Sequence, residues 1–402
     1  MDPAPLDLLL DAEVYAPEPL GRRSVLVGGG RVLYVGKERP ALGGLDVRVT
    51  ELAGRPLVPG LVDAHVHVTG GGGEAGPETA APAVGLSAYA RAGVTSVVGL
   101  LGTDDTTRTT AGLLRQVRAL RREGLSAWAW TGGYHLPPAT LTGSVRGDIV
   151  HLAEVIGFGE LALSDHRSSQ PTFDEVARLA ADCHVAGLMT GKAGVLHLHL
   201  GDGARGLALV REALDRTEIP PRTFHPTHVN RRRPLMEEAF ALTARGVTAD
   251  VTAFPPQYAE GDEVTAADAV REYLAAGLAP ERLTVSSDGG GCLPRFDWQG
   301  NPVGLDFATP LALADLLEEL LAAGLPLERV LPPFTSNPAT LLRLPGKGKI
   351  APGADADLVA LDAAGRVRDV WALGRRLLQD GRPVVVGTFE PLPEHPPRAN
   401  DT

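Results

Sequence analysis

Apolar residues along the chain gather into short runs separated by two kinds of spacer. Eight runs have strand length: Leu61–Val68, Thr95–Leu101, Ala127–Thr131, Ile156–Ser164, Val195–Leu200, Phe224–Val229, Val247–Ala253 and Leu283–Ser287. Between most of them the apolar positions return at helical spacing, as in Leu113–Gly124, Phe173–Ala186, Pro234–Arg245 and Ala266–Ala276. Strands alternating with helices predict parallel pairing through helical crossovers, and eight of them predict a closed (β/α)8 barrel of the TIM type.

The two ends of the chain have another texture. Short alternating stretches with Gly/Pro turns occur at Ser24–Val27, Arg31–Val35 and Val47–Leu52, and again at Leu358–Leu361, Val367–Leu373 and Val384–Val386. Such strands have no partners except each other. They predict a small β-sandwich built from residues 1–60 plus 343–402, set on a barrel of residues 61–342. The tail from Pro391 is polar and proline-rich and reads as loosely ordered.

A chain of 402 residues is long enough for this arrangement. A net charge of -11 argues against nucleic acid and anionic membrane as partners, which are bound through basic patches. The run Arg231-Arg232-Arg233 is too short to change that. Cys183 and Cys292 are the only cysteines, too few for a disulfide framework, which suits a reducing compartment. Met-Asp-Pro-Ala-Pro has no basic start, and Leu8-Leu9-Leu10 is too short for a signal core. The expectation is a cytoplasmic protein that neither spans nor binds a membrane.

The sharpest chemical motif is Asp63-Ala-His65-Val-His67, at the end of the first barrel run. A strand repeats every two residues, so both imidazoles share a face, with Cα atoms roughly 6–7 Å apart, and can converge on one ion. The alternative is a pair of stacked core histidines, which would bury two uncompensated polar rings. His199 and His228 close the fifth and sixth runs, and Asp288 ends the eighth. In a parallel barrel these ends face one mouth, where active sites lie. The fourth run supplies Glu160, its only acid before Asp165, whose two carboxylate oxygens can bridge two ions. His197 lies deeper than His199 and His225 begins its run, so both read as packing or supporting residues.

These residues resemble those of the amidohydrolase superfamily. Further motifs are similar to isoaspartyl dipeptidases: Gly70-Gly-Gly-Gly-Glu74-Ala-Gly76, Tyr134-His135, Thr142-Gly-Ser144, Ser164-Asp-His-Arg167, Thr227-His-Val-Asn-Arg231 and, near the C-terminus, Gly348-Lys-Ile-x-Pro-Gly-x-Asp-Ala-Asp-Leu358. The resemblance covers nearly the whole chain. It implies two divalent ions, zinc by the N/O character of the ligands, with His65 and His67 on the buried ion and His199 and His228 on the exposed one. Glu160 would bridge them, in place of the carboxylated lysine usual in isoaspartyl dipeptidases. Asp288 would ligate and act as general acid/base. A metal-bridging hydroxide would attack the amide while Tyr134 donates to the developing oxyanion. Glu74 would hold the substrate α-amine, Arg167 and Arg231 its carboxylates, and Gly72, Thr103 and Cys292 would add contacts. The family usually has serine where Cys292 stands, and no base adjacent in sequence favours a cysteine nucleophile. A homo-oligomer, up to an octamer, is also implied. Two other readings stay open. One is an N-acyl-amino-acid or cyclic-amide amidohydrolase with the same metal centre, and the other is a non-catalytic scaffold of this fold.

Overall fold

A computed structural model describes residues 6–254 and 262–391. Strands from both chain ends share one sheet. The N-terminal part supplies β1 (Leu6–Tyr15), β2 (Pro19–Gly28), β3 (Arg31–Gly36), β4 (Val47–Glu51) and β5 (Pro56–Pro59). β1 is the long strand that alternation did not predict. Leu8, Leu9 and Leu10 are all buried, and the β1–β2 register shifts between Leu9 and Ala12, so the period of two is broken in the middle of the strand.

The central part runs parallel. β6 (Leu61–Val66), β7 (Val94–Gly99), β8 (Ser126–Thr131), β9 (Val155–Leu163), β10 (Val195–Leu200) and β11 (Phe224–Thr227) pair in that order in a six-stranded sheet. β12 (Ala249–Thr252) and β13 (Leu283–Ser286) form a separate parallel pair. All eight coincide with the strands predicted from the sequence. Almost every residue in them is buried, which is the signature of parallel strands covered on both faces.

Side chains span the two seams where the ladder is interrupted. The Asn230 amide donates to the Thr252 carbonyl (3.1 Å) and accepts from the Thr252 N–H (2.9 Å), linking the end of β11 to β12. Asp63 on β6 accepts from the Ser287 N–H (3.2 Å) and hydroxyl, just past β13. A parallel bridge also joins Val66 to Gly289. Helices connect most of these strands, and the longest lies between β9 and β10. Phe173–Thr190 starts in a Thr172/Glu175 capping box and ends at left-handed Gly191.

After β13 comes a hairpin that the sequence reading left out, β14 (Cys292–Phe296) with β15 (Pro302–Phe307). The C-terminal part returns to the first sheet through β16 (Leu358–Leu361), antiparallel to β5, then β17 (Val367–Ala372), β18 (Arg375–Gln379) and β19 (Arg382–Pro383). The strand expected at Val384–Val386 is displaced to these last two. Asp380 and Gly381 both have positive φ (49° and 77°), so the Asp-Gly pair turns the chain immediately after β18. The expected loose tail from Pro391 lies, beyond that first residue, outside the described residues.

Candidate functional site

Six predicted ligand residues meet at the C-terminal ends of the parallel strands. His65 is on β6 and His67 just past it, Glu160 is on β9, His199 is on β10, His228 follows β11, and Asp288 lies two residues beyond β13. Three groupings bring their ligand atoms within 4.8 Å of one another: His65, His67 and Glu160; His65, His228 and Asp288; and Glu160, His199 and His228. Glu160 stands between two sets. Its Oε1 lies 3.5 Å from His67 Nε2, while its Oε2 lies 3.1 Å from His199 Nδ1 and 3.6 Å from His228 Nε2. Asp288 Oδ1 lies 3.1 Å from His67 Nε2 and 3.3 Å from His65 Nε2.

Local backbone features aim these groups. The β9–β10 register passes from Phe158↔Leu196 to Leu161↔Leu198, so Gly159 and Glu160 together oppose His197. That bulge turns Glu160 inward. His228 and Asp288 have positive φ, 59° and 55°, a left-handed conformation that His and Asp enter more readily than most residues.

The donor set suits cations. His65 Nε2, Glu160 Oε1 and Asp288 Oδ1 are buried and lack a hydrogen-bond partner, although each faces the cluster. Leaving such atoms unpaired is costly, and a cation would satisfy them together. The electrostatics agree. Burial disfavours a charged His65, yet Glu160 and then Asp288 outweigh it and raise its pKa to about 9. Despite burial, His65, His199 and His228 hold Glu160 well below the usual carboxylate range, and His65 and His67 do the same for Asp288. The centre therefore calls for positive charge, which imidazole and carboxylate ligands supply by binding metal.

A small cavity opens above this floor. Its walls carry Gly72, Glu74, Thr103, Tyr134, Arg167, Arg231, Cys292 and Pro294. His67, Glu160, His199, His228 and Asp288 reach it from below, and His65 is the one predicted ligand beneath the lining. Arg167 is held by Asp165 through Nε (3.0 Å) and Nη2 (2.8 Å), and its Nη1 donates to Glu74 (3.1 Å). Arg231 is less engaged: Nη1 is 3.9 Å from Asp202, and its Nε is buried without a partner. The Tyr134 hydroxyl lies 2.8 Å from His199 Nδ1. Burial, then Glu160, raise its pKa well above 10, so it keeps a proton to donate. At Gly72 (φ 73°) an added Cβ would fall 2.8 Å from Cys292 Cβ, so a side chain there would fill the cavity.

Two residues of this arrangement, Asp165 and Asp105, had no role assigned from the sequence. Asp165 Oδ2 accepts from His199 Nε2 (3.0 Å) as well as from Arg167, so one carboxylate braces both a predicted ligand and a wall cation. Asp105 accepts from His135 Nδ1 (3.0 Å), and His135 Nε2 faces the Arg167 carbonyl (3.0 Å), tying together the loops that carry Tyr134 and Arg167. Position after a strand end was the available signal for Asp165, one residue beyond Ser164. Asp105 had none, because only the fold brings it to His135.

Comparison with known proteins defines the class. The amidohydrolase family profile matches residues 57–377, and the chain belongs to that family. It is a hydrolytic enzyme, which sets aside the scaffold alternative. The particular likeness is to a β-aspartyl dipeptidase from Fervidobacterium islandicum AW-1, solved in complex with β-Asp-Leu. That protein is 40% identical, with 98% of this chain and 100% of that one aligned at a TM-score of 0.91. A dihydroorotase from Anaplasma phagocytophilum is 26% identical over 368 residues, 81% of this chain and 77% of that one. An adenine deaminase from Paracoccus denitrificans is 40% identical over 72 residues, so the match spans only 17% of this chain and 12% of that protein. Among the described residues no helix is long and apolar enough to cross a membrane.

Proposed function

We propose that this enzyme hydrolyses β-aspartyl (isoaspartyl) dipeptides at a binuclear divalent-metal centre, with zinc as the preferred ion. One observation carries the reading. Glu74, Arg167 and Arg231 share the wall of a cavity whose floor is the His/Glu/Asp cluster. A β-aspartyl dipeptide presents one ammonium and two carboxylates, which that wall matches in sign and number. The full-length likeness to a protein solved with β-Asp-Leu supports the same substrate.

His65 and His67 would hold one ion, His199 and His228 the other, and Glu160 would reach both. When bound, the ions would lower the pKa of a shared water, supplying a bridging hydroxide near neutral pH. Asp288, held ionised beside His65 and His67, accepts the proton of the attacking water and passes it to the leaving amine. Tyr134 donates its hydroxyl proton toward the carbonyl oxygen as negative charge develops there. Glu74 takes the α-ammonium, while Arg167 and Arg231 take the carboxylates. Substrate must therefore draw Glu74 away from its present pairing with Arg167. Gly72, Thr103 and Cys292 complete the wall.

The remaining parts of the proposal concern the whole chain. The hydrogen bonds across the two seams support a reading in which the eight parallel strands form one closed barrel over residues 61–342, and the sheet shared by both chain ends supports a second domain, a β-sandwich of residues 1–60 plus 343–402. Two free thiols fit a cytoplasmic location, and the family resemblance supports a homo-oligomer, up to an octamer. The similarity to dihydroorotase favours a cyclic amide as the second reading, but such a substrate leaves the Glu74/Arg167/Arg231 set unused.

Parallel assays on β-Asp-Leu, α-Asp-Leu and dihydroorotate separate these readings. The expected result is cleavage of the β-linked peptide with at least about a hundredfold preference in kcat/KM, about 2.7 kcal/mol of discrimination. Equal rates on both peptides, or hydrolysis of dihydroorotate alone, would sink the substrate assignment.

A further inference from the structure

Beneath the metal-facing residues lies a hydrogen-bonded chain of buried side chains. His65 Nδ1 is 2.7 Å from His197 Nε2, and His197 Nδ1 is 2.9 Å from His225 Nδ1. His225 Nε2 is 2.9 Å from Thr284 Oγ1, whose hydroxyl donates to Asp250 Oδ1 at 2.6 Å. All five residues are essentially inaccessible to solvent. Burying this many polar groups is tolerable only if every donor meets an acceptor.

That condition fixes the direction of the chain. Asp250 also accepts from the hydroxyls of Thr227 (2.6 Å) and Ser286 (2.5 Å). A carboxylate receiving three hydroxyl protons has none to give. Thr284 therefore spends its proton on Asp250 and can only accept from His225 Nε2–H. A neutral His225 then offers a bare Nδ1 to His197 Nδ1–H, and His197 offers a bare Nε2 to His65 Nδ1–H. The last consequence falls on His65: with Nδ1–H committed to His197, Nε2 is the nitrogen left to turn its lone pair to a metal. It is the nitrogen that faces Asp288 and Glu160 and has no other partner. The chain is also held sideways. His197 stacks on Trp130 at 5.2 Å and 17°, and a Cβ on Gly159 would come within 2.7 Å of His197 Cβ.

We infer that Asp250 is a positioning residue for the metal centre, fixing the tautomer and aim of His65 through Thr284, His225 and His197. This rests on the metal reading above and adds to it a support that none of the ligand motifs contains. Asp250→Asn tests it by reversing the polarity. The new amide can donate to Thr284, Thr284 can then donate to His225, and each proton moves across until His65 Nε2 is occupied.

Zinc affinity of the folded variants, measured by competition with a chromophoric chelator, gives one readout. Proton positions in a neutron structure of the zinc-loaded wild type give the other. The expected results are about 10- to 100-fold weaker zinc binding in Asp250→Asn, with deuterons on His65 Nδ1, His197 Nδ1 and His225 Nε2 in the wild type. Thr284→Val cuts the same chain without altering Asp250, and should weaken binding in the same direction even if Asp250→Asn does not fold. Affinities within about twofold of wild type for the folded variants, or a deuteron on His225 Nδ1, would overturn the inference. A wild-type protein that takes up no zinc would contradict the metal centre itself, a failure distinguishable from that of the relay.

Discussion

Cys292 shares the cavity wall with Glu74 and Arg167. Burial raises its thiol pKa to about 11, with Glu74 and Asp288 adding to the effect. The thiolate is the reactive form, so the shift makes this cysteine inert near neutrality. In metal-stripped protein, alkylation of Cys292 by iodoacetamide at pH 7 should run about 100-fold slower than that of an unperturbed thiol, and rise about tenfold per pH unit up to about 11. Peptide mass spectrometry would read it, with fully buried Cys183 as the internal reference. Fast labelling at pH 7 would show an activated thiol and reopen a nucleophilic role. At this scale, what could be read from sequence was what a strand period or a strand end exposes. His65 and His67 follow from alternation, and His199, His228 and Asp288 from their places at run ends. Asp105 and Asp250 were silent, because their importance lies in partners that only the fold brings close, and Asp165 showed no more than its place after a strand end.

β9 shows how an element places a residue that its sequence merely contains. Glu160 was visible as the only acid in an apolar run, but its aim comes from the slip in register against β10. Gly159 permits that slip, since its missing Cβ is where His197 packs. Gly159→Ala should push β9 from β10 and cost about 1–3 kcal/mol of stability, as overpacking does elsewhere. Calorimetry should show a lower Tm, and a zinc titration should show weaker binding, because Glu160 and His197 move together. Unchanged stability and binding would mean that the bulge does not hold Glu160 in place. The same kind of irregularity hid β1, where a bulge breaks the alternation after three successive leucines. The β14–β15 hairpin was hidden for another reason. Pro294, Gly300 and Pro302 make the stretch resemble a loop, although its residues pair from Cys292↔Phe307 onward.

Across the whole molecule, the two chain ends and the parallel strands are joined by more than sequence continuity. Lys347 is buried and reaches Ser126 at the start of β8 (2.6 Å), Asp357 (2.6 Å) and Asp355 (2.9 Å). That the terminal strands pair with each other, and that eight parallel strands lie between them, was predicted from texture alone, since strand-length and helical spacings differ strongly. The links at the seams were not predictable, because Asn230 and Asp63 make them with side chains and no hydrophobic pattern records that. The cluster of His65, His67, Glu160, His199, His228 and Asp288 depends on all these strands arriving at one end in register. The most direct measurement is hydrolysis of β-Asp-Leu by protein stripped with a chelator and then titrated with zinc. Activity should vanish on stripping and return as about two equivalents are added per chain. Full activity in the stripped protein, with metal content verified as negligible, would contradict a metal-dependent site built from these six residues.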